Sequence, residues 1–251
     1  MEQPYVTLSK KNGVGTIEFF HPAHNALPSD LLLKLEEAIK NADVDQQIKV
    51  IVLKSGREKT FCAGANFNEL VAITNQKQGE LFFAGFANVI NSMRKCSKII
   101  IVRVQGKVVG GGVGLAAAAD YCMTTKYASI KLSELTIGIG PFVIEPAVSR
   151  KIGLSAFTQL TLDPNTFFAA DWARQKGLYN ATFDSTETLD YAVKAFAENL
   201  CNYNLDALKE MKSIFWKDTD NWDVLLSERA KISGKLVLSE FTKETLKRFK
   251  E

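Results

Sequence analysis

Histidine is almost missing. The chain of 251 residues has two, His21 and His24, both in the polar turn that runs from His21 to Asn25. A histidine-based triad or a multi-histidine metal site needs them to meet distant partners, and a turn histidine is ordinarily a surface residue. Acid–base chemistry therefore falls to carboxylates. Cysteine is scarce as well. No two of Cys62, Cys96, Cys122 and Cys201 have C-x-x-C spacing, so neither a zinc site nor a thioredoxin-type motif is signalled. An excess of one charge is absent too: 31 basic residues face 28 acidic ones, too even a balance for a nucleic-acid partner. The longest apolar runs, Ile99–Val102 and Leu115–Ala119, are too short to span a bilayer, and Met1–Lys11 has no apolar signal core. A reduced, cytoplasmic protein with no membrane partner is the expectation. No Pro/Gly/Ser-rich linker, low-complexity segment or fixed-period repeat is visible.

What is present suffices for a full core: 46% of the residues are hydrophobic and 24% charged, close to an average globular protein. Tyr5–Ser9 alternates, Asn12-Gly13 follows, and Val14–Phe20 is β-branched and aromatic, which predicts a hairpin. Ser29 is placed to cap a helix with Leu32, Leu35, Ile39 and Ala42 on one face. Lys49–Lys54 and Lys98–Val104 read as buried strands, with a helix between them carrying Phe82, Phe86, Val89, Ile90 and Met93 on one face. An alanine-rich helix is expected over Leu115–Ala119, and short strands over Tyr121–Thr125 and Ala128–Leu132. Segments 144–152, 155–162, 169–176, 186–201, 203–216 and 237–250 look helical. The expectation is an α/β portion over about 1–140 and a helical C-terminal region over 141–251, together one domain.

Two glycine-containing segments, Cys62–Phe67 and Gly110–Gly114, each follow a buried strand and precede a helical pattern. Such turns expose backbone N–H groups at the positive end of a helix, with no side chain in the way. Two brought together can hold one developing oxyanion. The plainer reading is close packing of helix on sheet. Gly112-x-Gly114-x-x-Ala117 fits a dinucleotide fingerprint, with Glu134 at a plausible distance, but Gln105–Gly111 separates it from the strand. Glu134 itself is flanked by Leu132 and Leu135, surroundings that raise a carboxyl pKa and suit an acid or base; the alternative is an ordinary surface glutamate. Lys54, Arg57 and Lys59 form the one basic cluster, either for a phosphate-bearing ligand or as solvated loop charge.

Over nearly its whole length the chain resembles the enoyl-CoA hydratase/isomerase (crotonase) superfamily. The carrying segments are Asn25-Ala26-Leu27, Phe61–Phe67, Gln105–Ala119 with Asp120, and Ser133–Pro141. The resemblance implies a crotonase-like α/β spiral of ββα units, with C-terminal helices that build a homotrimer, often paired into a hexamer. It implies an acyl-CoA thioester as substrate, no metal, and no cofactor beyond the coenzyme A that the substrate carries. Ala65 and Gly111 would supply the two oxyanion N–H groups, and Glu134 would be the catalytic glutamate. Asn25, Ala26 and Leu27, with Ala63, Gly64, Asn66, Phe67 and Asn68, would line the path of the coenzyme A moiety. Gly110 would belong to the second turn, and Lys54, Arg57 and Lys59 would become candidates for the phosphates.

Departures from the family pattern bear on the reaction. Known hydratases carry a second glutamate where this chain has Gly114, and glycine where it has Phe142; the aspartate usual at 66 is Asn66. A single carboxylate suits double-bond isomerisation, in which one base removes a proton and returns it elsewhere. Rival expectations are 2-enoyl-CoA hydration with Glu134 alone or helped by Glu145, a coenzyme A ester binder with a degraded site, and decarboxylation of a malonyl-type thioester.

Overall fold

Asn12 and Gly13 both take positive φ, 53° and 80°, the geometry of a tight hairpin turn. The computed structural model describes residues 2–248. The hairpin joins β1 (Tyr5–Lys11) to β2 (Val14–Phe20), with Tyr5 opposite Phe20, and α1 (Ser29–Val44) follows. From there pairs of strands alternate with helices. β3 (Val50–Ser55) and β4 (Thr60–Cys62) precede α2 (Phe67–Ala72) and α3 (Gln76–Lys95). β5 (Ile99–Val104) and β6 (Lys107–Val109) precede α4 (Gly111–Ala117). β7 (Tyr121–Thr125) and β8 (Ser129–Lys131) precede a 3₁₀ turn, Glu134–Ile137, and α5 (Glu145–Leu162). The chain ends with β9 (Phe168–Ala169), α6 (Ala170–Gln175), β10 (Ala181–Phe183), α7 (Thr186–Leu200), α8 (Leu205–Phe215), α9 (Trp222–Leu236) and α10 (Glu240–Arg248).

The long strand of each pair joins one sheet, in the order β1-β2-β3-β5-β7-β10, and the short strand joins another, β4-β6-β8-β9. This division positions everything that follows. β4, β6 and β8 are parallel neighbours, so the segments leaving their C-terminal ends emerge side by side. The first four residues of β3 and of β5 are all apolar because the larger sheet is covered on both faces. Ile51, Leu53, Ile100 and Val102 meet α1 and α3, while Val50, Val52, Ile99 and Ile101 meet Leu189, Val193 and Ala197 of α7. Burying side chains such as Leu31, Leu35 and Ile39 of α1 contributes about 1.5–3 kcal/mol each.

The helical region is bound to this core by a buried polar knot. Asp120, at the entry to β7, accepts from Ile100 N–H at 2.7 Å and from Trp216 Nε1 at 2.8 Å, and pairs with Lys212 Nζ of α8 at 2.9 Å. Lys212 also donates to the Lys98 carbonyl at 2.7 Å, so both charges are partnered. α9 packs along α3, where Gly79 and Gly234 bring the two backbones together: a Cβ on Gly79 would lie 2.8 Å from the Gly234 Cα. Phe241 of α10 packs on Gly138 at the end of the 3₁₀ turn.

Several boundaries differ from the sequence expectation. Ser29 is the first helical residue, not the cap; Pro28 holds the cap position, and the Ser29 amide and hydroxyl donate to the Glu69 carboxylate at 2.9 and 2.7 Å. An anion from α2 thus serves the N-terminus of α1. α4 runs over Gly111–Ala117 where Leu115–Ala119 is expected: its first turn is built from glycines, whose poor helix propensity hides it in the sequence, and it ends two residues short. Segments 144–152 and 155–162 form one element broken at Gly153, whose φ of 77° is not helical. α9 has no counterpart among the expected helices. Residues 249 and 250 of the expected last helix lie outside the described residues. No helix among the described residues is long and apolar enough to cross a membrane.

Candidate active site

The first turn leaves β4 at Ala63 and reverses at Gly64, which has φ of 89°. Leu27 then fixes it from the side. The Leu27 amide donates to the Gly64 carbonyl at 2.8 Å and the Asn66 amide donates to the Leu27 carbonyl at 3.2 Å. In this parallel bridge Ala65 faces away from Leu27 with its own N–H and C=O. The second turn leaves β6 through Gly110, with φ 53° and ψ −121°, and starts α4 at Gly111. The turns touch: a Cβ on Gly64 would lie 3.1 Å from the Val109 carbonyl oxygen and 3.7 Å from the Gly111 nitrogen. Neither the Ala65 amide nor the Gly111 amide donates to a protein acceptor among the described residues. The Gly111 amide belongs to the first helical turn, which has no intrahelical acceptor and carries the positive end of the dipole.

The third segment leaves β8 and delivers Glu134. Its Oε1 lies against Gly110, where an added Cβ would be 3.0 Å away. Its Oε2 is buried and has no hydrogen-bond partner among the described residues. Burial pushes the carboxyl up from 4.5 to about 7, with its own backbone amide opposing slightly. Near neutral pH the group therefore exists in both protonation states, as a base that must later act as an acid requires.

All three segments open on one cavity of about 480 Å³, within the usual range for a small-molecule site. Ala63, Gly64, Ala65, Phe67, Gly110, Gly111, Glu134 and Phe142 line it, together with Lys131, Ser133, Asn165 and Ile144. Phe83 and Phe86 come from α3 and Ser233 from α9. Phe86 packs so closely on Gly111 that a Cβ there would lie 2.3 Å from the ring. Glu134 is the only carboxylate on this wall among the described residues.

The remaining expected site residues are placed elsewhere. Asn25 is buried with φ of 57° and clamps the loop after β3: its Nδ2 donates to the Gly56 and Thr60 carbonyls, both at 2.8 Å, and its Oδ1 accepts from His21 N–H at 3.0 Å. Gln105 Nε2 holds the same loop through Ser55 Oγ and the Arg57 carbonyl. Ala26 and Leu27 are buried behind the first turn. Asn66 caps α2, its Oδ1 accepting from the amides of Asn68 and Glu69; this role asparagine fills as well as aspartate. Asn68 is exposed beside it. Gly114 is walled off from the cavity by Ile144, whose Cγ2 would lie 2.4 Å from a Cβ at 114. A glutamate placed there alone has no path inward.

Other expectations meet similar obstacles. Gly112 packs on Cys62 within α4, so the dinucleotide-like glycines lie inside a helix with filled neighbours. Glu145 pairs with Arg229 at 3.5 Å and is not on the cavity wall. Lys54 is held by Glu18 at 2.8 Å, and Arg57 pairs with Glu2 and lies over the Phe20 ring, while Lys59 is exposed. Sequence reasoning read Phe86 as core and passed over Ile144, Lys131 and Ser133; the alternation of 131, 133 and 130, 132 in a strand was the available signal for the last two. No group of three or more metal-ligating side chains occurs among the described residues.

A family model described as enoyl-CoA hydratase/isomerase matches residues 9–251. The peroxisomal Delta(3,5)-Delta(2,4)-dienoyl-CoA isomerase of Arabidopsis thaliana is 29% identical over 195 residues, 71% of this chain and 68% of that protein. The short-chain-enoyl-CoA hydratase of Clostridium acetobutylicum is 27% identical over 254 residues, 100% of this chain and 96% of that protein. A crystal structure of enoyl-CoA hydratase from Bacillus halodurans superposes with a TM-score of 0.90 at 19% identity, covering 97% of this chain and 99% of that one. At that identity the superposition speaks for the fold.

Proposed function

Given that the chain belongs to the enoyl-CoA hydratase/isomerase family, we propose that it is an enzyme of acyl-CoA thioesters, that its reaction passes through a thioester enolate, and that the reaction is double-bond isomerisation. The observation that carries this reading is the solitary carboxylate: among the described residues Glu134 shares a cavity with two unpaired amide donors and with no second acid.

The thioester carbonyl accepts hydrogen bonds from the amides of Ala65 and Gly111. Ionised Glu134 removes a proton from C2 of a 3-enoyl-CoA. The electron pair delocalises onto the carbonyl oxygen, where the two donors hold it. Protonated Glu134 then delivers the same proton to C4 as the double bond moves to C2–C3. Each oxyanion donor of this kind is worth about 10²–10³ in rate. Hydration would instead require a water held for attack at C3, and Phe142 and Ile144 form an apolar wall with Glu145 engaged by Arg229. Coenzyme A enters as part of the substrate, and no other cofactor takes part. In solution the protein is a homotrimer or a pair of trimers in the cytoplasm, which light scattering and cell fractionation check.

Incubation with 3-enoyl- and 2-enoyl-CoA in ¹⁸O-water, read by mass spectrometry, tests the reaction. A shifted double bond with unchanged mass is expected. Labelled oxygen in the product overturns isomerisation in favour of hydration, and absence of any product across an acyl-CoA panel overturns catalysis altogether.

A further inference from the structure

Glu134 is not alone in being ionisable on the cavity wall. Lys131 lines it too, and among the described residues these two are its charged side chains. Lys131 ends β8 in register with Val109, and its carbonyl accepts from the Gly110 amide at 2.9 Å. Its backbone is therefore joined to the turn that presents Gly111.

The ammonium group of Lys131 is uncommitted. It makes no ion pair among the described residues. It is not a counter-ion for Glu134 either, whose carboxyl is pushed up and not held down. Instead its Nζ lies 5.2 Å from the centroid of Phe167, and Lys107 Nζ lies 5.2 Å from the same ring. A ring face holds an ammonium while leaving its N–H donors free for another acceptor. Two like charges around one ring also repel, and an anion between them relieves that repulsion.

Position decides which part of a ligand this cation meets. Glu134 must reach carbons C2 and C4 of the acyl group, and Lys131 and Ser133 leave the same strand end just ahead of it. With Glu134 at C2 and C4, their place on the same wall sets them toward the acyl half of a bound thioester. Phe83, Phe86, Ile139 and Phe142 make much of the remaining wall apolar, with Thr136, Asn165 and Ser233 as its uncharged polar residues. A cation against such a wall is costly to desolvate unless the ligand answers it.

We propose that Lys131, backed by Lys107 across the Phe167 ring, is a specificity-determining residue, and that the acyl group this cavity selects carries a carboxylate at its far end. The carboxylate is a spectator in the reaction: it accepts from the Lys131 ammonium and fixes the chain so that C2 and C4 lie beside Glu134. The proposal rests on the acyl-CoA reading above, and the test reads binding so that the two fail separately.

Calorimetric titration of the wild-type protein with hexanoyl-CoA and with adipoyl-CoA, saturated esters that cannot turn over, is the measurement. Adipoyl-CoA is expected to bind about tenfold or more tightly, the worth of one charge-assisted hydrogen bond. Lys131→Met is expected to bring the two affinities within about twofold of each other, and Lys131→Arg to keep the preference. Equal affinities in the wild type overturn the proposal and leave the acyl-CoA reading intact. A preference that survives in Lys131→Met also overturns it. If Lys131→Met weakens both coenzyme A esters equally and leaves the corresponding pantetheine esters unaffected, the lysine reads a coenzyme A phosphate and the proposal is wrong. Failure of both esters to bind the wild type overturns both readings.

Discussion

The carboxylate of Glu134 rests against the α-carbon of Gly110, so near that a Cβ there would sit 3.0 Å from Oε1. Gly110 also has φ of 53°, in the left-handed region. Glu134 and the turn presenting the Gly111 amide are thus fixed relative to each other by the absence of one methyl group. Gly110→Ala is expected to displace the carboxylate by about 1 Å and to lower kcat by about 10²-fold or more. Turnover measured beside a retained circular-dichroism spectrum checks this.

Glu134→Gln is expected to keep coenzyme A ester binding and to lose turnover by about 10²–10⁴-fold. Calorimetry and steady-state kinetics on the same preparation separate the two effects. Turnover at the wild-type rate would remove Glu134 from the mechanism.

The same carboxyl should set two pH dependences of opposite sign. Activity requires the ionised base, so kcat/KM is expected to rise with pH through about 7. Stability runs the other way. The folded-state pKa is raised from 4.5 to about 7, so between these values the folded protein retains a proton that the unfolded chain has released. Stability from this group therefore falls as pH rises across that window and is flat above it, by on the order of 3 kcal/mol. Denaturant titrations from pH 4.5 to 8 should show a decline that Glu134→Gln flattens.

Gly114→Glu alone is expected to destabilise by about 1–3 kcal/mol or more, because Ile144 fills the space, and to produce no hydration. Paired with Ile144→Gly, it gives a carboxylate a route to the cavity. Incorporation of ¹⁸O from water should then appear only in the double variant, which makes Ile144 the residue that keeps a second acid out.

Asp120→Ala leaves Lys212 buried without its partner. A loss of about 3–5 kcal/mol is expected, seen as a lowered denaturation midpoint with α8 no longer held to β7.

Legibility in the sequence followed the length of each signal. The hairpin at Asn12-Gly13 and the buried strands β3 and β5 could be read because turn chemistry and apolar runs are local. Glu134 between two leucines carried its own clue to burial. β4 and β6, at three residues each, are too short for any period to register. α9 escaped although Trp222, Leu226 and Ala230 recur at helical spacing, because its buried face narrows to Ala230, Ser233 and Gly234 where Gly234 meets Gly79 of α3. Within the site, a glycine that serves a ligand and one that serves a neighbour look alike in one dimension. Gly111 and Gly114 each pack on a close side chain, Phe86 and Ile144 respectively, and differ in that only Gly111 also lines the cavity. Asn25 shows the converse: a polar residue in a promising motif whose hydrogen bonds are taken up by the loop after β3 and by its own turn.

The crossing of α9 over α3 orders events during synthesis. By the time residue 162 has been made, Ala65, Gly111 and Glu134 already exist, and so do the strands that bring them together. Yet Ser233, which completes the wall, and Phe241, which braces the turn bearing Glu134, come only with the last helices. A nascent chain therefore holds Ala65, Gly111 and Glu134 well before it holds the helices that close the cavity around them.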